Sequence, residues 1–262
     1  MTSRFFAALR AEFRKFFTVR SSLIGLGLTV GLTIGLGALI CWVMRQQYSH
    51  LSIQDKLTFD PLVFSFAGVF IGQFTVGVVG AQFITSEFAT GSLHTTLAAV
   101  PSRWTVLLSK IGVIKAVLIV TSLVSAFVSF FLGQAILAGP GIPVAHFSDS
   151  GVPRQVLLTA MYLVLLGVFA TALGFILRQT AATISVFVVV LLVVPIIDAL
   201  MPSSIRDATF KYLPSSLGRS MMSGTEPYVY PLFSPWTSTF IFIAYIVISV
   251  AVAGVIFSRR DA

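Results

Sequence analysis

Residues 156–200 read VLLTAMYLVLLGVFATALGFILRQTAATISVFVVVLLVVPIIDAL, with Arg178 and Asp198 as the only charged side chains. Two apolar runs, Val156 to Leu177 and Ala181 to Leu200, are separated by Arg178, Gln179 and Thr180 alone. A bilayer core about 30 Å thick needs roughly 20 predominantly apolar residues per helical crossing. Each run is long enough to cross, and the short link between them predicts a tight antiparallel pair. Four further runs of the same kind occur at Ser22 to Met44, Leu62 to Ile84, Ala116 to Leu137 and Thr237 to Phe257. None of the six has an acidic or basic residue at its centre, where a charge costs at least about 2.5 kcal/mol on insertion scales. The expected fold class is an all-α membrane protein with six transmembrane helices, forming a single domain over residues 1–262.

Composition supports that reading. The chain is 10% charged and 56% hydrophobic, with a mean hydropathy of +0.97, whereas a soluble domain carries about 25% charged residues. The single cysteine, Cys41, excludes an intramolecular disulfide and a cysteine-cluster metal site. The basic start followed by an apolar stretch resembles a secretory signal, but the stretch is too long and no small-x-small cleavage site follows promptly. It is expected to stay attached.

The net charge of +8 is a topology signal. With six spans both termini share a side, and placing them in the cytoplasm puts eleven Lys/Arg there against Glu12, Glu87 and Asp261. The opposite side then holds six basic and six acidic residues, so the whole excess lies inside, as the bias of short loops requires. The expected location is a membrane crossed several times with both termini in the cytoplasm, and no nucleic-acid partner is expected.

Within residues 1–21, Phe6, Leu9, Phe13, Phe16 and Phe17 recur at helical spacing while Arg4, Arg10, Arg14 and Lys15 fall largely elsewhere on the wheel. This predicts an interfacial amphipathic helix with Phe6, Phe13 and Phe16 at the acyl boundary of the membrane lipids and Arg10 and Arg14 among the headgroups. Gly27, Gly31 and Gly35 in the first span, with Gly25 and Gly37 beside them, and Gly68 and Gly72 in the second, suit close helix approach within one bundle or at a subunit interface. Gln73, Thr75, Gln134 and Thr171 are the few polar residues in spans, available for a path or for interhelical hydrogen bonds. The outer loop, residues 201–236, holds Pro202, Pro214, Pro227, Pro231 and Pro235 together with Phe210, Tyr212, Tyr228, Tyr230, Phe233 and Trp236. That pattern predicts short interfacial or re-entrant helices rather than a folded outer domain.

The cytoplasmic connection between the second and third spans, residues 85–115, reads Glu87-x-x-x-Gly91-Ser92-Leu93-His94-x-x-Leu97-x-x-x-Pro101-Ser102-Arg103, with Lys110 seven residues on. Leu93 and Leu97 share a helical face and Pro101 ends that helix. Glu87, the only acid of the loop, has Arg103 or a cation on a partner as its expected counter-charge, or else solvent. The segment resembles the coupling region of type-2 ABC exporter permeases, in which an acidic residue, Gly-x-Leu, a leucine, Pro-x-Arg and a lysine occur in this order after the second of six spans. The basic start, Leu213-Pro214-Ser215 and the terminal Arg259-Arg260-Asp261-Ala262 extend the resemblance weakly and look like actinobacterial members. It implies that Glu87, Gly91, Leu93, His94, Leu97, Pro101, Arg103 and Lys110 couple the chain to a separate ATPase present in two copies, beside a second permease copy. It also implies that the second and fifth spans line the path, with Phe70, Gln73 and Thr75 as candidates.

No Gly-x-x-x-x-Gly-Lys-[Ser/Thr] loop occurs, so ATP and Mg would sit on that partner and this chain is expected to bind no cofactor. His50, His94 and His146 all lie in loops and no His-Glu-x-x-His is present, which argues against an intramembrane enzyme. An ion-coupled secondary carrier would keep ionisable groups within its spans, where only Asp198 comes near. A non-transporting scaffold or immunity protein is the remaining alternative.

Overall fold

The computed structural model describes residues 2–100, 102–222 and 232–259. Helix α1 (Thr2–Thr18) leads through Val19 into the first long helix, α2 (Arg20–Gln47). Short helices α3 (Ile53–Leu57) and α4 (Pro61–Ser65) precede α5 (Val69–Thr90), followed by α6 (Ser92–Ala99), α7 (Arg103–Leu137) and α8 (Val152–Leu177). The chain continues through α9 (Thr180–Val188), a π-helical turn (Val189–Val193), α10 (Val194–Ala199), α11 (Ser203–Thr209), α12 (Pro214–Met222) and α13 (Pro235–Arg259). Six of these segments are long and apolar enough to cross a membrane, as expected of a multi-pass membrane protein.

Helix ends follow local chemistry. Asp60 accepts the Leu62 N–H at 2.9 Å ahead of Pro61, the first residue of α4, and Ser102 accepts the Thr105 N–H at the start of α7. Side-chain caps of this kind satisfy amides that the helix itself leaves open. Gly91, at φ +68°, separates α5 from α6 in a left-handed conformation that favours glycine. Arg178 takes the same region at φ +58° between α8 and α9, so the tight hairpin expected between the fourth and fifth spans is present with one residue fewer in its link. In the fifth span, the ring of Pro195 conflicts with the carbonyl of Leu191 four residues earlier. The π turn covers that carbonyl, a common way for a helix to absorb such a defect.

The layout centres on α8, whose most apolar window is 72% buried, against 17% for both α2 and the fifth span. α8 packs on α5, α7 and α13. Where α5 crosses α8, Thr171 donates to the carbonyl of Gly80 at 3.0 Å, and a Cβ at Gly80 would run into the Gly167 carbonyl. Gln134 donates to Ser65 Oγ at 2.9 Å and to the Pro61 carbonyl at 3.2 Å, and accepts the Ala145 N–H at 2.7 Å. Thr171 and Gln134 thus serve interhelical bonds rather than a path. The glycines divide in the same way. Gly68 lies against the Thr33 carbonyl, whereas Cβ atoms at Gly27, Gly31 and Gly35 would meet nothing.

The third span differs from the sequence reading at its start. The third span begins at Arg103, not Ala116, because its polar first turns continue the helix beyond the apolar stretch. Residues 85–115 are consequently almost wholly helical. Within residues 201–236 the expected short helices are present as α11 and α12, while positions 223–231 lie outside the described residues.

Candidate functional site

One end of the bundle gathers α1, the last turns of α5, α6, the first turns of α7 and the end of α13. At its centre the Lys110 side chain is completely buried. Its ammonium donates to Glu12 Oε2 at 2.6 Å and to Glu87 Oε1 at 2.7 Å. Lys15 reaches the same Glu87 oxygen at 2.7 Å from the far side. Two acids and two bases from three helices thus form a neutral cluster, with Phe83 beneath the Lys110 ammonium at 5.3 Å. Isolating one such charge in an apolar interior costs several kcal/mol, and the paired charges offset it here, although Glu87 Oε2 is buried without a hydrogen-bond partner among the described residues. What remains is a strong geometric demand: α1 must sit where Glu12 meets Lys110. Leu9 meets that demand one turn earlier, lying over Gly112, where a Cβ would crowd its side chain.

Glu87 therefore pairs with Lys110 and Lys15 rather than with Arg103, and it is buried rather than solvated. Arg103 instead donates to the Phe257 carbonyl at 2.8 Å, with its guanidinium 6.0 Å from the Phe257 ring centre. It thereby places a cation at the C-terminal end of α13, where the helix dipole favours one. Phe16, read from the sequence as a membrane-interface residue, is 1% exposed and packs edge-on to Phe83 at 5.3 Å. It shares the inward face of α1 with Glu12, four residues earlier. Phe6, Phe13, Arg10 and Arg14 are exposed.

Helix α6 joins this end by its apolar side. Leu93 is buried with Ile84, Val106, Leu107, Phe175 and Phe257, and Leu97 packs against the same group, so the shared face expected of Leu93 and Leu97 is present. His94, Thr95 and Ala98 face outward. Pro101 lies outside the described residues; α6 itself ends at Ala99. Between α6 and α1 runs a groove of about 260 Å³ lined by Ala11, Lys15, Thr95, Thr96 and Ala99.

Of the path candidates, Phe70 and Gln73 line a separate cavity of about 430 Å³ between α5, α8, the fifth span and α12. Gln73 accepts the Tyr162 hydroxyl at 2.8 Å there. Thr75 does not line it and donates to the Gly72 carbonyl of its own helix at 2.8 Å.

No family model matches the chain, and no curated protein matches it significantly. Functional reading accordingly rests on geometry and residue chemistry. Sequence reasoning singled out Glu87 and Lys110 and missed Glu12 and Lys15 as their partners. The available signal was Glu12 itself, an acid on the Leu9 and Phe16 face of an otherwise basic helix.

Proposed function

We propose that the chain is the membrane-spanning subunit of an ATP-driven exporter of the type-2 ABC class, and that the end bearing α1 and α6 docks on a separate ATPase subunit. The observation that carries this reading is the way α6 is mounted. It is short, its Leu93 is locked among the ends of α5, α7, α8 and α13, and its opposite face is free. A push on that face is delivered to the ends of four long helices at once, because packed interiors transmit strain rather than absorb it.

The ion cluster adds α1 to the same rigid unit. On this view His94 contacts the motor, and Glu87, Leu93, Leu97, Arg103 and Lys110 pass its movement inward. In the working assembly two copies of the chain meet two ATPase subunits, which bind ATP and Mg, and cargo crosses beside the second and fifth spans in a bacterial cytoplasmic membrane.

The test is reconstitution. Proteoliposomes holding the chain alone should move no solute, and addition of the ATPase captured with it should give MgATP-dependent transport. His94→Glu combined with Ala98→Glu should abolish capture of the ATPase while leaving the melting temperature unchanged. A second reading, an ion-coupled carrier, is favoured by the burial of ionisable Glu87 and Lys110 within two of the long helices. Solute accumulation by the chain alone, driven by an ion gradient, would establish that reading and end the first.

A further inference from the structure

The cavity at the other end has an uneven chemistry. Phe66, Val69, Phe70, Leu191, Pro195 and Ile196 make its walls apolar. Its polar groups are Gln73 of α5, Tyr162 of α8, and Ser215 and Arg219 of α12. The Gln73 carbonyl oxygen is already taken by the Tyr162 hydroxyl. The Gln73 amide N–H groups and the exposed Arg219 guanidinium make no hydrogen bond or ion pair among the described residues. Among the described residues no carboxylate lines the space. Of the nearby acids, Asp198 is buried and accepts the Thr209 hydroxyl on one oxygen, its other oxygen having no hydrogen-bond partner among the described residues, and Asp207 lies 3.8 Å from Arg206.

Unused donors set in an apolar wall, with no carboxylate among the described lining residues, suit an anion attached to hydrocarbon. The guanidinium in particular presents a planar fork that matches carboxylate and phosphate oxygens. A volume of about 430 Å³ falls at the lower end of small-molecule sites, about 300–1,000 Å³. That is room for one hydrocarbon chain beside a headgroup, not for two. We propose that this cavity binds a single-chain amphipath with an anionic headgroup, its acid on Arg219 and its tail along Phe66, Phe70, Leu191 and Ile196. As a statement about transported cargo this rests on the exporter reading; as a statement about binding it does not.

The test uses the full-length chain in nanodiscs of zwitterionic lipid, without any ATPase, and a photoreactive alkyl phosphate alongside the tail-matched alkyl alcohol. The phosphate should bind roughly ten- to a hundredfold more tightly, the range expected of a charge-assisted contact. Arg219→Gln should bring the two probes level, Arg219→Lys should keep part of the preference, and cross-links should fall on residues of the cavity wall. Ile196→Trp, which fills the space, should lower labelling by both probes. Equal binding of the two probes to the wild-type chain, a preference that survives Arg219→Gln, or displacement of the probe only by two-chain phospholipids would each overturn the assignment. Because no motor is present, loss of ATP-driven transport in other experiments leaves this result intact, and a negative result here leaves the exporter reading standing.

Discussion

The two ends of the helix bundle treat charge in opposite ways. Around Lys110, four charged side chains from α1, α5 and α7 are linked by contacts of 2.6–2.7 Å and their formal charges cancel, with Glu87 Oε2 left without a hydrogen-bond partner among the described residues. Around Arg219, a guanidinium and the N–H groups of the Gln73 amide, whose oxygen is held by Tyr162, face an apolar cavity and donate to nothing in the described chain. Pairing of the first kind fixes helices against each other, since moving any one of them strands a charge. Unused donors of the second kind fix nothing and are available to a ligand. The backbone follows the same division. The paired end is built from regular helix, whereas the cavity is walled in part by the π turn and Pro195 of the fifth span.

The largest expected effect comes from breaking the paired end. Lys110→Met leaves Glu12 and Glu87 buried with only Lys15 between them, and removing one partner of a buried ion set costs about 3–5 kcal/mol. The purified variant should melt well below wild type, and adding Glu12→Gln and Glu87→Gln should recover much of the loss. An unchanged melting temperature for Lys110→Met would remove the distinction between the ends. Beside the cavity, Gly68→Ala forces a methyl group into the Thr33 carbonyl, and overpacking of this kind costs typically about 1–3 kcal/mol. Gly27→Ala, which meets nothing, should stay within about 0.5 kcal/mol of wild type. The smaller adjustment at the paired end is Arg103→Ala, which loses the bond to the Phe257 carbonyl. It should lower stability by about 1–2 kcal/mol, and amide exchange should quicken in the last turn of α13 before anywhere else.

The six long helices could be read directly because hydrocarbon thickness and a lack of charge are properties of contiguous residues. Leu93 and Leu97 were legible for a similar local reason, their spacing on one short helix. The ion cluster was not, because Lys110 finds Glu12 across 98 positions and Glu87 across 23. Counted by position alone, each was one more charge near a membrane surface. The start of the third span was misjudged because hydropathy falls off before the helix does. The π turn had a cue in Pro195, but how a helix accommodates a proline depends on the neighbours that cover the displaced carbonyl.

Docking of α1 through Glu12 has a consequence for biosynthesis. Its cationic partner is made 98 residues later, so at about 5–20 residues per second the nascent N-terminus waits roughly 5–20 seconds for it. Until the third long helix emerges, the seventeen-residue α1 has only its contacts to the earlier helices, such as Lys15 on Glu87 and Phe16 on Phe83. Docking of α1 is therefore completed only with the third long helix, and a ribosome that stalls before Lys110 leaves behind a chain in which Glu12 has no counter-charge.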